Sequence, residues 1–70
     1  MSYIILVDHR ENNHSVSTIQ DENDNIEIFD DISEALKVAS TQFLAKSFTS
    51  FIIDLDDKTI IEVRKGEIVL

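Results

Sequence analysis

Two carboxylates directly follow an apolar run in the second half of the chain. Asp54 and Asp56 come after the apolar residues 51–53, and Leu55 separates them. Carboxylate oxygens placed close together can hold a metal ion. One alternative function is therefore a metal-dependent protein that handles a phosphate or another small ligand through Asp54 and Asp56. The interpretation that we favour is a strand running into an acidic hairpin turn, where Asp is common.

The stretch 51–59 resembles the first motif of haloacid-dehalogenase-like phosphotransferases, an apolar strand followed by D-x-D-G-T. The resemblance implies that Asp54 is the nucleophile and Asp56 the acid/base. Asp57 and Lys58 replace the Gly and Thr of the motif, and Thr59 comes one residue late. That family also has a parallel sheet and further downstream motifs, which the last eleven residues cannot supply. We therefore predict no catalytic residue and a protein that is not an enzyme.

A second pattern, at residues 21–25, is typical of the start of a calcium-binding loop. Asp21, Asn23 and Asn25 alternate there. Such a loop needs Gly at its sixth position and a bidentate Glu at its twelfth. Those positions hold Ile26 and Ile32. The sequence therefore predicts an ordinary solvated turn.

His9 and His14 flank a four-residue turn and could face each other across a hairpin. Structural zinc takes four ligands, so two histidines make half a site. We interpret them as surface histidines whose protonation gives the hairpin a pH dependence near neutrality. We thus predict no metal site and no cofactor.

Other signatures of catalysis or nucleotide binding are missing from the sequence. The chain has no Cys and one Gly, which excludes thiol chemistry, phosphate-binding loops and dinucleotide fingerprints. Its six Lys and Arg residues are outnumbered by fourteen Asp and Glu residues. A phosphate-neutralising stripe needs a basic surface, so we expect no direct nucleic-acid binding.

The net charge of −8 is concentrated in one window. Residues 11–36 hold eight acids, the first of them Glu11, and no Lys or Arg, while the six acids and six bases elsewhere cancel. The electrostatic field of such a window influences which partners can bind the surface and how fast they associate. The leading hypothesis is a small non-enzymatic binding module that modulates a larger protein through a basic patch on that partner.

The predicted partner-binding surface combines the acids of this window with one apolar anchor: Asp21, Glu22, Asp24, Glu27, Phe29, Asp30, Asp31 and Glu34. A sharper version of the hypothesis is a nucleic-acid mimic of bacterial or phage origin, in which acids replace phosphates. The abundance of Ile and Asn, common in AT-rich genomes, favours that origin. The plainest alternative is a solubilising face with no partner.

The hydrophobic period predicts the elements that position these residues. Strand-like segments are residues 3–9, 15–20, 26–29, 50–55, 59–64 and 67–70. Residues 31–46 have helical spacing, with Asp31 as N-cap and Glu34 in a capping-box position. The order β-β-β-α-β-β-β predicts one α+β domain, residues 1–70, in which one helix packs on an antiparallel sheet. An alternative is that 15–29 form one bent strand or a loose loop.

The first predicted strand is apolar on both faces, although one helix can cover only one face of a sheet. Ile4 and Leu6 alternate with the other apolar residues of that strand, and Ile52 alternates with Phe51 and Ile53. We predict that Ile4, Leu6 and Ile52 form a self-association surface and that the protein is a homodimer, which would also enlarge a small core. The alternative is that residues 10–25 fold over this face.

The chain has no long apolar segment and no Cys. We therefore expect a soluble cytoplasmic protein without membrane contacts.

Overall fold

The computed structural model describes residues 1–10, 16–42 and 47–69. The predicted fold class is confirmed, because one helix packs against a five-stranded antiparallel sheet. The elements are β1 (Tyr3–Asp8), β2 (Val16–Thr18), α1 (Ile32–Thr41), β3 (Thr49–Asp54), β4 (Thr59–Arg64) and β5 (Glu67–Ile68). Their order across the sheet is β2-β1-β3-β4-β5. The chain therefore passes through α1 to place β3 beside β1.

The pairing of β1 with β3 determines which residues share a face. Ile5 lies opposite Ile52, and Leu6 lies opposite Phe51. Residues directly opposite each other in an antiparallel pair point to the same face. The face beneath α1 holds the buried apolar residues Tyr3, Ile5, Val7, Ile19, Ile52 and Val63. We call this the helix face and the other the open face.

The helix begins where the sequence predicts. Asp31 has an extended backbone, and its carboxylate accepts a hydrogen bond of 2.8 Å from the N–H of Ser33. This bond satisfies one of the N–H groups that the first turn leaves unpaired. Ala35 and Ala39 are fully buried, and their small side chains let the helix lie close to the sheet.

The helix ends earlier than predicted. Its last residue is Thr41, and Gln42 is extended. The hydroxyls of Ser40 and Thr41 donate back to the carbonyl oxygens of Leu36 and Lys37, at 2.8 and 2.6 Å. Hydroxyls that bond back to the preceding turn compete with the backbone ladder and weaken a helix end. Residues 43–46, which the prediction included, lie outside the described residues.

The predicted strand 26–29 is reduced to two isolated bridges. Phe29 exchanges two backbone hydrogen bonds of 2.8 Å with Tyr3, and Ile26 bridges to Gln20. Residues 26–29 pair at one residue with the chain that follows β2 and at one residue with the start of β1, so no strand ladder forms. These residues nevertheless lie at the edge of the sheet that β2 occupies.

Two tight turns connect the last three strands, and the first is the predicted acidic hairpin turn. The N–H of Lys58 donates to the carbonyl of Asp54 at 2.8 Å and closes the β3–β4 turn. Lys65 and Gly66 connect β4 to β5, with φ of 50° and 86°. Positive φ at both central residues is the geometry that two-residue hairpins favour.

Candidate functional site

The described acids of the charged window lie on the segment that runs from the end of β2 to the first turn of α1. We call these residues the acidic rim: Asp21, Glu22, Asp24, Glu27, Asp30, Asp31 and Glu34. The segment flanks β1 on the β2 side of the sheet. The topology therefore gathers the predicted acids along one edge. Glu11, the eighth acid of the window, lies outside the described residues.

One member of the rim shapes the turn that carries its neighbours. The Oδ1 atom of Asp21 accepts hydrogen bonds from the N–H groups of Asn23 and Asn25, at 2.9 and 3.1 Å. Asp24 has a φ of 63°, a conformation that Asp and Asn tolerate better than most residues. The alternating pattern at 21–25 is thus used to close a turn on its own backbone.

Asp31 and Glu34 also act locally. Asp31 caps α1, and Glu34 lies in its first turn. Negative charge at this position interacts favourably with the positive end of the helix dipole. Two acids of the rim therefore have a structural reason to be acidic that does not require a partner.

The remaining exposed acids have no such role. Glu22, Asp24 and Asp30 are exposed. Within the described ranges, the two ion pairs join Asp8 to Arg10 and Glu62 to Arg64, and neither includes a rim residue. The negative charge of the rim is therefore not neutralised by a described base, and it faces solvent.

Phe29 does not stand beside these acids as an exposed anchor, so this part of the prediction is corrected. Its side chain is 3% exposed and belongs to the core. The backbone bridge to Tyr3 places Phe29 on the helix face with its partner. Alternation turns Ile26 and Ile28 to the other side, where they are 50% and 59% exposed. Ile26 and Ile28 are therefore exposed apolar residues beside the rim.

The predicted self-association residues do not all share a face. Ile4 and Leu6 lie half-buried on the open face. Ile52 is 1% exposed and lies opposite Ile5 on the helix face, so its assignment to the same surface is corrected. The β3 residues that join Ile4 and Leu6 are Ile53 and Phe51, because the register pairs them directly.

The open face carries further exposed apolar residues around these four, interspersed with the side chains of Thr18, Glu62, Arg64 and Glu67. Exposed apolar side chains on it, assigned by register and alternation, are Val16, Ile26, Ile28, Ile60 and Val69. Scattered apolar residues are normal on a surface, but a contiguous apolar face marks an interaction site.

Asp54 stabilises the β3–β4 turn, and Asp56 joins that turn to the residue that precedes β1. The Oδ1 atom of the buried Asp54 accepts from the N–H groups of Asp56 and Asp57, at 2.9 and 3.1 Å. Asp56 accepts from the N–H of Ser2 at 2.7 Å. Burial and the nearby charge of Asp54 raise the pKa of Tyr3, which lies opposite Asp54. The favoured interpretation as an acidic hairpin turn agrees with these contacts.

The sheet around this turn also differs from the fold that the phosphotransferase resemblance implies. β3 pairs antiparallel with both β1 and β4. The resemblance implies a parallel sheet, so it does not extend beyond the short motif. Among residues 1–10, 16–42 and 47–69, no three His, Asp or Glu side chains are grouped as a metal site requires.

His9 contributes to packing on the helix side. Its ring lies 4.9 Å from that of Phe48 in an edge-to-face arrangement, and its Nε2 atom is 2.7 Å from the Ser17 hydroxyl. His14, its predicted companion, lies outside the described residues. That the two histidines face each other across the hairpin therefore stays a prediction.

Asp8 and Arg10 form a bidentate ion pair at the end of β1. The guanidinium donates to both carboxylate oxygens, at 2.9 and 2.8 Å, and the Arg10 N–H adds a bond of 3.0 Å. The side-chain hydrogen bonds from Arg10, followed by the bond from its backbone, lower the pKa of Asp8 to about 2.

No protein-family model, curated protein or solved structure matches this chain. No helix in the described part of the chain is long and apolar enough to cross a membrane.

Proposed function

We propose that this protein is a non-enzymatic binding module that recognises a basic patch on a larger protein through the acidic rim. The observation that carries the proposal is the group of exposed acids Glu22, Asp24 and Asp30, which have no described ion pair. Local turn and capping roles explain Asp21 and Asp31, but they leave these three acids without a structural function.

Charge alone gives fast and selective encounter, whereas affinity needs desolvated apolar contact. Ile26 and Ile28 supply that contact, because they are exposed and lie between Asp24 and Asp30 in the chain. The partner therefore presents Lys or Arg residues around an apolar pocket. We place the interaction in the cytoplasm, with which a chain without Cys is compatible.

The test compares two double variants that each remove two negative charges. Asp24→Asn with Asp30→Asn removes two of the seven negative charges of the rim, and Asn is tolerated at the positive φ of residue 24. Asp57→Asn with Glu67→Gln is the matched control, with one change in the β3–β4 turn and one on β5, both outside the rim. Each protein is immobilised and used to capture proteins from a lysate of the native host at low and at physiological salt.

We expect that the wild type and the control variant retain a protein from the lysate and that the rim variant does not retain it. Retention falls as salt rises, because exposed charges are screened over about 8 Å at physiological ionic strength. A protein retained equally by both variants would show that the rim only solvates the surface. Release of nucleic acid from the captured protein would identify the module as a nucleic-acid mimic.

A second matched pair of variants tests the apolar contact. Ile28→Ser removes an exposed apolar side chain beside the rim, and Ile68→Ser removes one that is 48% exposed on the helix side of β5. We expect faster dissociation from the captured protein for Ile28→Ser only. Equal dissociation rates for the two variants would remove Ile28 from the binding surface.

A further inference from the structure

We propose that the open face binds a second copy of this chain, and that the two-fold axis of the dimer runs along β3. The surface is centred on four half-buried residues, Ile4, Leu6, Phe51 and Ile53, and on Ile60, which is 64% exposed. Register places Ile4, Ile53 and Ile60 in one row across three strands. α1 covers the opposite face, where Ile5 and Ile52 are buried. The inference does not rest on the proposed function, although Ile26 and Ile28, at the edge of this face, also belong to the proposed partner-binding surface.

The charge distribution favours one orientation of a second copy over the other. Residues 21–31, on the β2 side, carry six acids and no base, a net charge of −6. Residues 56–69, on the β4–β5 side, carry four acids and three bases, a net charge of −1. A two-fold axis along β3 places each acidic edge over the nearly neutral edge of the partner. An axis across the strands would place acid over acid, which like-charge repulsion opposes.

This orientation also matches individual residues. It exchanges β1 with β4, so Ile60 lies over the partner's Ile4, and Phe51 meets its own copy at the axis. Arg64, which is ion-paired with Glu62 and 63% exposed, comes over the partner's Asp8. Apolar residues thus meet apolar residues in the row of Ile4, Ile53 and Ile60, Glu62 lies over the partner's Leu6 in the next row, and opposite charges meet at one end of the strands.

The size of the face fits a reversible dimer. Three strands of six residues and the shorter β2 and β5, about 4.8 Å apart with a rise of about 3.4 Å a residue, give a sheet plane of roughly 400 Å². The side chains above this plane add accessible area, and the face stays below the ~800 Å² per partner of a standard interface. We therefore expect dissociation in the micromolar range.

Sedimentation equilibrium from about 1 to 500 µM tests the proposal, a range chosen around the affinity expected for an interface of this size. Ile60→Asp puts a charge on the open face, and Ile68→Asp puts the same charge on an exposed apolar residue of the helix side. Wild type and Ile68→Asp should dimerise, and Ile60→Asp should dissociate at least tenfold more readily. A wild type that stays monomeric, or a dimer that tolerates Ile60→Asp, overturns the proposal.

Cross-linking tests the axis. The chain has no Cys, so Phe51→Cys introduces a single thiol at the proposed axis. Packed sheets are about 10 Å apart, too far for a disulfide, so the probe is a short bis-maleimide of similar span. Phe51→Cys should give a cross-linked dimer that Ile60→Asp abolishes, and Ile68→Cys should not cross-link. Equal cross-linking at positions 51 and 68, or none at 51 in a folded dimer, contradicts this orientation.

Discussion

Ile5 and Ile52 lie directly opposite each other on β1 and β3, and both are buried beneath α1. Their pairing gives the sheet one covered face. It also turns Phe51 and Ile53 to the open side together with Leu6 and Ile4. One register therefore separates the residues that stabilise the monomer from those available for association.

Replacing Ile52 by Ala should destabilise the domain strongly. Truncation of a fully buried Ile leaves a cavity and lowers the unfolding free energy by about 2–5 kcal/mol. Ile53→Ala, on the half-exposed face, should lose about 1 kcal/mol. Urea denaturation at submicromolar concentration, where the proposed dimer is dissociated, measures both. A larger loss for Ile53→Ala would mean that the open face is covered within the monomer.

Asp31→Ala should shorten or weaken α1 because it removes the N-cap acceptor of the Ser33 N–H. Loss of such a cap lowers the unfolding free energy by about 1 kcal/mol. Asp30→Ala is the neighbouring control, since it removes the same charge from an exposed residue and should change stability by less than about 0.5 kcal/mol. Thermal unfolding followed by circular dichroism compares the two. Equal losses would attribute the effect to charge rather than to capping.

Ala39→Leu should destabilise by overpacking. Ala39 is fully buried where α1 meets the sheet, so extra methyl groups must move the helix or adopt poor rotamers. The expected loss of unfolding free energy is about 1–3 kcal/mol. Ser33→Leu places the same side chain on an exposed helix position and should be tolerated. Stability of Ala39→Leu equal to that of the wild type would contradict the close approach of α1.

Asp8 should titrate far below an ordinary Asp. Its pKa is lowered from 3.8 to about 2 by the hydrogen bonds from Arg10, so the ion pair stabilises the folded state above the unfolded-state pKa. That contribution is lost as the pH falls through about 2, where the folded carboxylate takes up its proton. NMR titration of the Asp8 carboxyl carbon measures the midpoint. In Arg10→Gln it should rise towards 3.8 without reaching it, since the backbone N–H still donates. An unchanged midpoint would remove Arg10 as the cause.

The fold was predictable from the sequence because local signals agreed with the global arrangement. Asp31 marks the start of α1, Lys65 and Gly66 mark a hairpin, and the change of hydrophobic period separates the helix from the strands. The early end of α1 was less visible, since Ser40 and Thr41 act through hydroxyl bonds to the preceding turn. Residues 26–29 have the alternation of a strand, but they pair with the neighbouring chain only at Gln20 and at Tyr3.

The candidate surfaces were only partly predictable. Alternation alone says which residues of one strand share a face, but it cannot say which faces of two distant strands coincide. The sequence prediction therefore groups Ile52 with Ile4 and Leu6, whereas the β1–β3 register places Ile52 opposite Ile5. The prediction of Phe29 as an anchor rests on its place beside the acids in the sequence. The alternation of Ile26 and Ile28 with Phe29 is the sequence signal for the exposed pair.

The most direct test of the binding-module account is the association rate between this protein and a captured basic partner. We expect the double variant Asp24→Asn with Asp30→Asn to associate more slowly than the wild type. The control Asp57→Asn with Glu67→Gln should associate at the wild-type rate. Added salt should remove the difference in association rate between the two double variants. Equal association rates for the two double variants at low salt, with both folded, would contradict it.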